Sequence, residues 1–336
     1  MNSKLKYLVC LVVILLLIGG TFYLINAKNS DVSYQGVKKA IRIGNVGEYS
    51  IFNLIAQEKG FFSQNGLDAQ IKEYSSGPAS IAGLLAHEVD INIAADFVGV
   101  KNIFTNRDIR ILTAVNQHRV FQLVARKDLG ISTPSDLKGK RIGVTKNSAG
   151  EFFIGDFLTA NGLLLSDVKM IDLTPADMLA ELEAGKIDAI SVFEPHVYKL
   201  KKTTSHELTI WEIQGDQNIN ALAYSTKAFI DENPDLIERY LRSIVAAEAY
   251  YKAHPEEVKE FIARKLNYEK AYVDYSWPRF THEIGLNQDL ILNMEVEARW
   301  IIASKLTEQK VVPNYLDYIY FDAIEKVKPY ANNIIH

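Results

Sequence analysis

The sequence predicts a mixed α/β protein built from two lobes of similar plan. The first observation is a repeat: Leu84–Phe97 (LLAHEVDINIAADF) aligns without a gap with Leu182–Pro195 (LEAGKIDAISVFEP). The second is that patterns typical of strands and helices alternate in the same order in both halves of the chain. The third is that the last strand of each half is a continuous apolar run, as expected of a strand buried in a mostly parallel sheet.

Three shorter matches keep the same order along the chain, each separated by about 100 residues, which indicates an internal repeat. They pair Arg42-Ile43-Gly44 with Arg141-Ile142-Gly143, Gly47-Glu48-Tyr49 with Gly150-Glu151-Phe152, and Asn65-Gly66-Leu67 with Asn161-Gly162-Leu163. Any one of these matches is weak by itself, but chance does not readily produce four in one order. The repeat therefore indicates two copies of one strand–helix–strand–helix–strand unit.

Each copy contains three predicted strands with helices between them. The strands are Ala40–Asn45, Leu67–Tyr74 and Asp90–Ala95 in the first copy, and Lys140–Thr145, Val168–Leu173 and Asp188–Phe193 in the second. Helices are predicted over Phe52–Gln64 and Phe152–Ala160, and each is followed by Asn-Gly, which suits a left-handed helix end. A capping residue followed by proline indicates further helix starts at Thr133, Thr174, Asn233 and His254.

Two crossings of the chain are predicted to join the lobes. They are Ile111–Val124, between the copies, and Asn220–Ser225, after the second copy. Two connections between similar lobes make a hinge with a cleft. This division assigns residues 41–120 to lobe 1, 121–220 to lobe 2, and 221–336 to a return to lobe 1 with C-terminal helices. The amphipathic tail Gln288–Lys328 is expected to pack across both lobes.

The composition narrows the classes of function. Of the 336 residues 48% are hydrophobic and 23% charged, so a sizeable core can form. The formal net charge of −4 gives no reason to expect nucleic acid as a partner. Cys10 is the only cysteine, which leaves no intrachain disulfide, no cysteine-based metal site and no cysteine nucleophile in the body of the protein. We expect a monomer with neither cofactor nor metal.

The N-terminus carries an apolar segment. Tyr7–Ile25 has no charged residue over 19 positions, which is long enough to cross a bilayer as a helix. Lys4 and Lys6 precede it, which favours a cytoplasmic N-terminus and an extracytoplasmic body. We expect an uncleaved anchor within residues 1–27, with a cleaved signal peptide or a buried core helix as alternatives. Residues 28–40 would then form a polar tether.

The candidate site follows from the predicted sheets, because ligands of open α/β sheets bind beyond the carboxyl ends of the strands. The selected positions are Asn45, Gly47, Tyr49, Ser76, Gly77, Asp96 and Phe97 in the first lobe, Gln117 at the first crossing, and Thr145, Asn147, Ser148, Glu151, Thr174, Phe193 and Glu194 in the second lobe. For the polar residues among them the alternative is helix capping, since most strand-to-helix turns bind nothing.

Asp96 and Glu194 are the most informative of these residues. They follow buried strands at equivalent places in the repeat, and a buried carboxylate needs a partner. If they face one another across the cleft, an amine, a cation or a proton must lie between them. With nearby aromatic residues, this favours an organic ligand bearing an amine or a ring. The alternative is that both acids are structural and that an anion binds at the helix start near Thr145–Glu151.

Several segments resemble one protein family. They are Ile41–Asn45, Ile55–Leu67 (IAQEKGFFSQNGL), Ser132–Thr145 (STPSDLKGKRIGVT), Leu179–Pro195 ending in VFEP, and Ala228–Tyr240 (AFIDENPDLIERY). The sequence resembles the substrate-binding proteins of ABC importers for nitrate, sulfonates, taurine and thiamin pyrimidine precursors. This resemblance implies a type II periplasmic-binding-protein (Venus-flytrap) fold. It also implies an extracytoplasmic location and two protein partners, an ABC permease and its ATPase.

Two other functions share this expected fold. One is a ligand-sensing protein that acts through a separate signalling partner. The other is an enzyme of quinone or pyrimidine biosynthesis, because the fold alone does not decide between binding and catalysis. No HExxH, GxSxG, Walker A or GxGxxG motif stands in a convincing context, which favours a protein that is not an enzyme.

Overall fold

The computed structural model describes residues 34–336, and the predicted anchor or signal at 7–25 lies outside these residues. Two sheets, of six and five strands, organise the described part. The strands are β1 Lys39–Asn45, β2 Leu67–Glu73, β3 Ile91–Ala95, β4 Ile109–His118, β5 Phe121–Arg126, β6 Arg141–Val144, β7 Lys169–Asp172, β8 Ala189–Phe193, β9 Leu208–Glu212, β10 Ile219–Thr226 and β11 Phe280–Thr281. Strand β1 begins inside the segment predicted as a tether.

Thirteen α-helices accompany the strands in the described range. They are α1 Ile51–Glu58, α2 Phe61–Gln64, α3 Gly77–Leu85, α4 Asp96–Ile103, α5 Ala149–Ala160, α6 Pro175–Glu183, α7 His196–Thr203, α8 Lys227–Glu232, α9 Pro234–Ala253, α10 Pro255–Lys265, α11 Lys270–Ser276, α12 Gln288–Ala303 and α13 Phe321–Val327. Between residues 34 and 336 no helix combines the length and the apolar character that a membrane span requires.

The first sheet has the strand order β11-β4-β10-β3-β1-β2. Strand β1 pairs in parallel with β2 and β3, whereas β10 runs antiparallel to both β3 and β4. Every residue of β3 and of β10 is buried, which explains why the sequence of β3, INIAA, is almost entirely apolar. We call this sheet and its helices, residues 34–118 and 219–336, the first lobe.

The second sheet repeats the central part of the first. Its order is β7-β6-β8-β5-β9, with β6 parallel to β7 and β8, and with β5 antiparallel to β8 and β9. The parallel triplet β7-β6-β8 thus matches β2-β1-β3, and the predicted repeat is confirmed. All six predicted strands are present, with bounds that differ by at most one residue. We call residues 121–212 the second lobe.

Equivalent arginine–aspartate ion pairs link neighbouring strands in both parallel triplets. Arg42 donates from its backbone N–H to Oδ2 of Asp90 at 2.8 Å, and its guanidinium also bonds this carboxylate. In the second lobe the backbone N–H of Arg141 donates to Oδ2 of Asp188 at 2.7 Å, and its guanidinium reaches Oδ1 at 2.7 Å. The arginine and aspartate of the repeat are therefore structural, and each pair fixes the alignment of its strands.

The chain passes between the lobes at two adjacent points. It leaves the first sheet after His118 and enters the second at Phe121, and it returns between Glu212 and Ile219. Oε1 of Gln214, on the return segment, accepts the backbone N–H groups of Val120 and Phe121 at 2.6 and 2.7 Å. The two connections are thus bonded to each other at the hinge.

Left-handed glycines end helices where the sequence predicts helix ends. Gly66 and Gly162 both have φ of +75°, which glycine adopts without steric cost. One prediction was wrong in detail, because Phe52–Gln64 is not one helix. Gly60, with φ of +72°, separates α1 from α2, since no helix continues through a left-handed residue.

The C-terminal tail packs against both lobes. The side chain of Trp300, on α12, lies 5.8 Å from Phe97 of the first lobe and 5.4 Å from Phe152 of the second, measured between ring centroids. Phe97 and Phe152 also stack on each other at 5.5 Å. This aromatic contact lies beside the hinge and joins α4, α5 and α12.

Candidate ligand-binding site

The turns that follow β1 and β8 meet at the junction of the lobes. Tyr49 follows β1, and its ring centroid lies 5.7 Å from that of Phe193, the last residue of β8. Phe193 also contacts Phe121, at 5.2 Å between centroids. Both turns stand at the carboxyl ends of parallel strands, which is where ligands bind in such sheets. The junction is therefore the candidate site.

Two carboxyl groups, one from each lobe, occupy this junction. The hydroxyl of Tyr272 donates to Oε1 of Glu48 at 3.0 Å, and that of Tyr275 donates to Oε1 of Glu194 at 3.2 Å. Both tyrosines belong to α11. We call Glu48, Tyr49, Glu194, Tyr272 and Tyr275 the acid pocket. Neither carboxylate forms an ion pair with a lysine, arginine or histidine among residues 34–336.

Burial controls the protonation of the two acids. It raises the pKa of Glu48 to about 8; the hydrogen bond from Tyr272 lowers this pKa and the charge of Glu194 raises it. Burial also raises the pKa of Glu194, against the hydrogen bonds that this carboxylate accepts from Tyr198 and Tyr275. At neutral pH Glu48 is therefore mostly protonated. A cation placed between the two acids would favour their ionised forms.

The base of the pocket contains polar atoms without partners. The side-chain N–H of Asn116 donates to the backbone oxygen of Tyr49 at 2.8 Å, so its Oδ1 accepts from Nδ1 of His118, also at 2.8 Å. That assignment leaves Nε2 of His118 as a buried acceptor, and neither this atom nor the hydroxyl of Tyr49 has a partner in the described part of the chain. The two rings stack at 4.4 Å. Burial, with a smaller effect of His282, lowers the pKa of His118 to about 3, so its imidazole is neutral.

Arg279 borders the acid pocket on the side of α11. Its guanidinium lies 4.4 Å from the ring centroid of Tyr275 and donates to the hydroxyl of that residue at 2.9 Å. Nε of Arg279 is buried and has no hydrogen-bond partner within residues 34–336. Buried polar groups are normally hydrogen-bonded. Three unpaired groups near one cleft, on Tyr49, His118 and Arg279, therefore fit a place that a ligand or ordered water completes.

Asp96 does not lie in the acid pocket. It is fully buried, and its Oδ2 accepts the backbone and side-chain N–H groups of Asn220 at 3.0 and 2.8 Å. The carboxyl of Glu297, on α12, also hydrogen-bonds to it. Burial raises the pKa of Asp96 to about 6 and that of Glu297 well above its usual value, so the pair holds a proton. Glu194 thus has Glu48 as its neighbouring acid, and Asp96 has Glu297.

The turn before α5 is organised by capping. Ser148 donates to the backbone oxygen of Thr145 at 2.6 Å and accepts from the N–H of Gly150 at 3.2 Å. Oε2 of Glu151 accepts the N–H of Asn147, which has φ of +58°, at 2.7 Å. Burial raises the pKa of Glu151. These contacts order the turn and cap the helix start from within the protein.

The structure gives most of the other selected residues internal partners. The side chain of Asn45 bonds Glu73 and Asn53, and that of Ser76 accepts from the N–H of Ala79. The side chain of Gln117 bonds Asn220. The hydroxyl of Thr145 donates to the backbone oxygen of Leu173, and that of Thr174 donates to Asp177. Gly77 packs against Val98, and Gly47, with φ of +47°, faces the hydroxyl of Tyr268. Of the selected set, the junction brings together Tyr49, Phe193 and Glu194.

The tyrosines of the junction were missed by the sequence reasoning. Tyr268, Tyr272 and Tyr275 follow one another at spacings of four and three residues, a pattern typical of one helical face, although Tyr268 lies just before α11. That stripe was a usable signal, although nothing local connects it to β1 or β8. Across residues 34–336 no group of three or more histidine, cysteine, aspartate or glutamate side chains could hold a metal ion.

Comparisons with known proteins agree with this architecture. A family model described as NMT1/THI5 like matches residues 48–258. A Bacillus subtilis protein provisionally named an aliphatic sulfonates-binding protein is 27% identical over 277 residues, covering 80% of this chain and 81% of the relative. The taurine-binding periplasmic protein of Escherichia coli is 25% identical over 239 residues, covering 68% of each chain.

Solved structures show the same fold. The alkanesulfonate-binding protein SsuA from Xanthomonas axonopodis pv. citri, bound to MOPS, has a TM-score of 0.75 at 18% identity, covering 85% of this chain and 99% of the other. The desulfurization enzyme DszB has a TM-score of 0.61 at 14% identity, covering 87% and 99%. The periplasmic-binding-protein fold predicted from the sequence is confirmed, and DszB shows that the same fold can also carry an enzyme.

Proposed function

Because the chain belongs to the NMT1/THI5-like family, we propose that it is the extracytoplasmic solute-binding component of an ABC importer. It captures a small organic molecule, which is sulfonate-like or taurine-like or else aminopyrimidine-like, between its two lobes and delivers it to a permease and its ATPase. The names of the relatives support a binding protein rather than an enzyme. Attachment to the membrane through residues 7–25 is part of this proposal, as is the monomeric state.

The acid pocket is the observation that carries the proposal. Glu48 and Glu194 come from different lobes, so a ligand that bonds both of them holds the lobes together. The rings of Tyr49 and Phe193 lie beside these acids and offer faces for stacking or for a cation–π contact. A group that is positively charged and rich in N–H donors satisfies this set best. Amines and protonated aminopyrimidines both have that character.

The first experiment identifies the ligand and measures its contacts. Native mass spectrometry of the protein as purified is expected to show a bound small molecule, and calorimetry with taurine and with the pyrimidine half of thiamin supplies defined probes. For a probe that binds, Glu194→Gln should weaken affinity by on the order of 2 kcal/mol, about thirtyfold, because a charged hydrogen bond is lost. Glu58→Gln, a surface change on α1, serves as the matched control.

Proton linkage gives a second readout of the same contact. A bound ammonium favours ionised Glu48, whose pKa is raised to about 8 mainly by burial, so binding should release a proton. Affinity should then increase as the pH rises from about 6 to about 8, as long as the ligand amine stays protonated. If the affinity is independent of pH and Glu194→Gln binds as tightly as wild type, the acid pocket does not bind the ligand.

A further inference from the structure

Arg279 reaches the acid pocket from the hinge of the protein. It immediately precedes β11, whose first residue, Phe280, pairs with His118 at the end of β4. The backbone oxygen of Arg279 accepts the N–H of Arg119, in the first connection between the lobes, at 3.3 Å. The backbone of Arg279 is therefore held at the hinge, independently of what its side chain contacts.

The side chain of Arg279 is connected to Glu194 through Tyr275. Nη2 of Arg279 donates to the hydroxyl of Tyr275 at 2.9 Å, and this hydroxyl donates to Oε1 of Glu194 at 3.2 Å. Within residues 34–336 no direct ion pair joins Arg279 to Glu194. A hydroxyl that accepts a hydrogen bond from a cation is a stronger donor, so the arginine strengthens the bond from Tyr275 to the carboxylate.

The second acid of the pocket lacks such a connection. Glu48 also accepts from a tyrosine hydroxyl, that of Tyr272, but no cation within residues 34–336 donates to this hydroxyl. Burial raises the pKa of both acids. The charges of Lys201 and Arg279 then lower the pKa of Glu194, whereas the charge of Glu194 raises that of Glu48. A single negative charge in the pocket is therefore favoured at Glu194.

The charged and titratable groups around this contact come from both lobes. Glu194 faces Glu48 and Tyr49 after β1, Tyr198 and Lys201 on α7, Tyr272 and Tyr275 on α11, and Arg279, while Glu212 on β9 faces Tyr275 at longer range. Of the two cations, Lys201 is exposed and belongs to the same lobe as Glu194. Arg279 is half-buried and comes from the first lobe, so its charge is less screened by water and reaches Glu194 only across the cleft.

Resting on the proposed function, we infer that Arg279 is a positioning residue of the solute site. Through the hydroxyl of Tyr275 it orients the carboxylate of Glu194 and makes Glu194, rather than Glu48, the acid that carries the negative charge. The connection is complete only while the lobes are closed, because Arg279 and Tyr275 belong to the first lobe and Glu194 to the second. The cationic or N–H-rich group of a solute then meets a carboxylate at Glu194 and a protonated carboxyl at Glu48.

A double-mutant cycle tests this inference without any solute. Urea unfolding of the full chain between about pH 4 and about pH 8 compares wild type, Arg279→Gln, Glu194→Gln and the double variant. Because burial raises the pKa of Glu194 in the folded protein, stability is lost as the pH rises, and more is lost without Arg279. The unfolding equilibrium constant of Arg279→Gln relative to wild type should therefore increase by about fivefold over this range, the scale of one partly screened ion pair.

Three comparisons show whether that increase comes from the proposed connection. In the Glu194→Gln background the effect of Arg279→Gln should not depend on pH. In the Tyr275→Phe background the ring remains but the hydroxyl is absent, so the pH-dependent effect of Arg279→Gln should disappear. Arg110→Gln is the matched control, because the Arg110 guanidinium also lies near a ring, 5.7 Å from the centroid of Tyr318, and bonds only backbone oxygens among residues 34–336. It should keep the pH dependence of wild type.

Three results would overturn the inference. They are no pH-dependent difference between wild type and Arg279→Gln, a difference that is equally large in the Glu194→Gln background, and one that persists in Tyr275→Phe. All three leave the proposed function intact, because they concern the charge on Glu194 and not the solute. If native mass spectrometry and calorimetry find no solute while the cycle gives the expected result, the proposed function fails, and Arg279 only helps to hold the lobes together.

Discussion

Replacing Asp96 by asparagine should change how the stability of the protein depends on pH. This carboxyl group is fully buried, and burial raises its pKa to about 6. The charged and titratable groups that face it are Glu297 and, at longer range, Tyr224, so no cation within residues 34–336 offsets its charge. The native state therefore retains a proton on Asp96 that the unfolded chain has already released.

The expected size follows from the two pKa values. An unfolded aspartate titrates near 3.9, and each pKa unit corresponds to about 1.4 kcal/mol, so a shift of about two units gives about 3 kcal/mol. Because the folded pKa is the higher one, the stabilisation is complete below about pH 4 and is lost as the pH rises through about 6. Asp96→Asn lacks this loss. Its unfolding free energy relative to wild type should rise by about 2 kcal/mol between pH 4 and pH 7, because the unfolded aspartate is already about half ionised at pH 4.

Urea unfolding at several pH values, followed by tryptophan fluorescence, measures this difference. Asp188→Asn is a control with the opposite sign. Burial opposes ionisation of Asp188, but the hydrogen bonds and charge of Arg141 outweigh burial and lower the pKa of Asp188. The unfolding free energy of wild type relative to Asp188→Asn should therefore increase as the pH rises. A difference between wild type and Asp96→Asn that stays constant from pH 4 to pH 7 would falsify the raised pKa of Asp96.

Two further substitutions test the packing at the hinge and in the first lobe. A Cβ on Gly155 would lie 2.3 Å from Cζ2 of Trp300, so Gly155→Ala should cost roughly 1–3 kcal/mol and disturb the contact between the lobes. Solution scattering should show a larger radius of gyration, and an unchanged curve with unchanged stability would contradict the packing. Tyr240→Phe removes a buried hydroxyl that donates to Oδ1 of Asn53 at 2.9 Å, and should lower the unfolding free energy by about 1–2 kcal/mol. Urea denaturation measures this loss, and no loss would mean that the bond contributes nothing net.

The fold could be predicted from the sequence because its signals are local and repeated. Apolar runs such as β3 and β8 are buried because they are central strands, and Asn-Gly pairs end helices because glycine accepts a left-handed backbone. The repeat then indicated that both lobes are built from the same unit. The break at Gly60 was missed because a single glycine inside an apolar-periodic segment does not by itself predict a helix end.

The candidate site was less predictable, for two physical reasons. Serine and threonine at a helix start satisfy bare N–H groups in the same way whether or not a ligand is near, as Ser148 and Thr174 illustrate. In addition, the partners of a buried acid can come from distant parts of the chain. Asp96 hydrogen-bonds to Glu297 of α12, and Glu48 hydrogen-bonds to Tyr272 of α11. No sequence pattern near either acid predicts these contacts.

The paired arginine–aspartate contacts of the two lobes have a consequence for how such a chain can change. Arg42–Asp90 and Arg141–Asp188 lie where β3 and β8 begin, whereas the candidate site lies where β1 and β8 end. Each sheet is therefore anchored at the end opposite the candidate site. Loops at the opposite end of the strands can be exchanged, lengthened or changed in charge while the ion pairs maintain the strand alignment. A scaffold of this kind can take on new solutes through changes confined to a few turns.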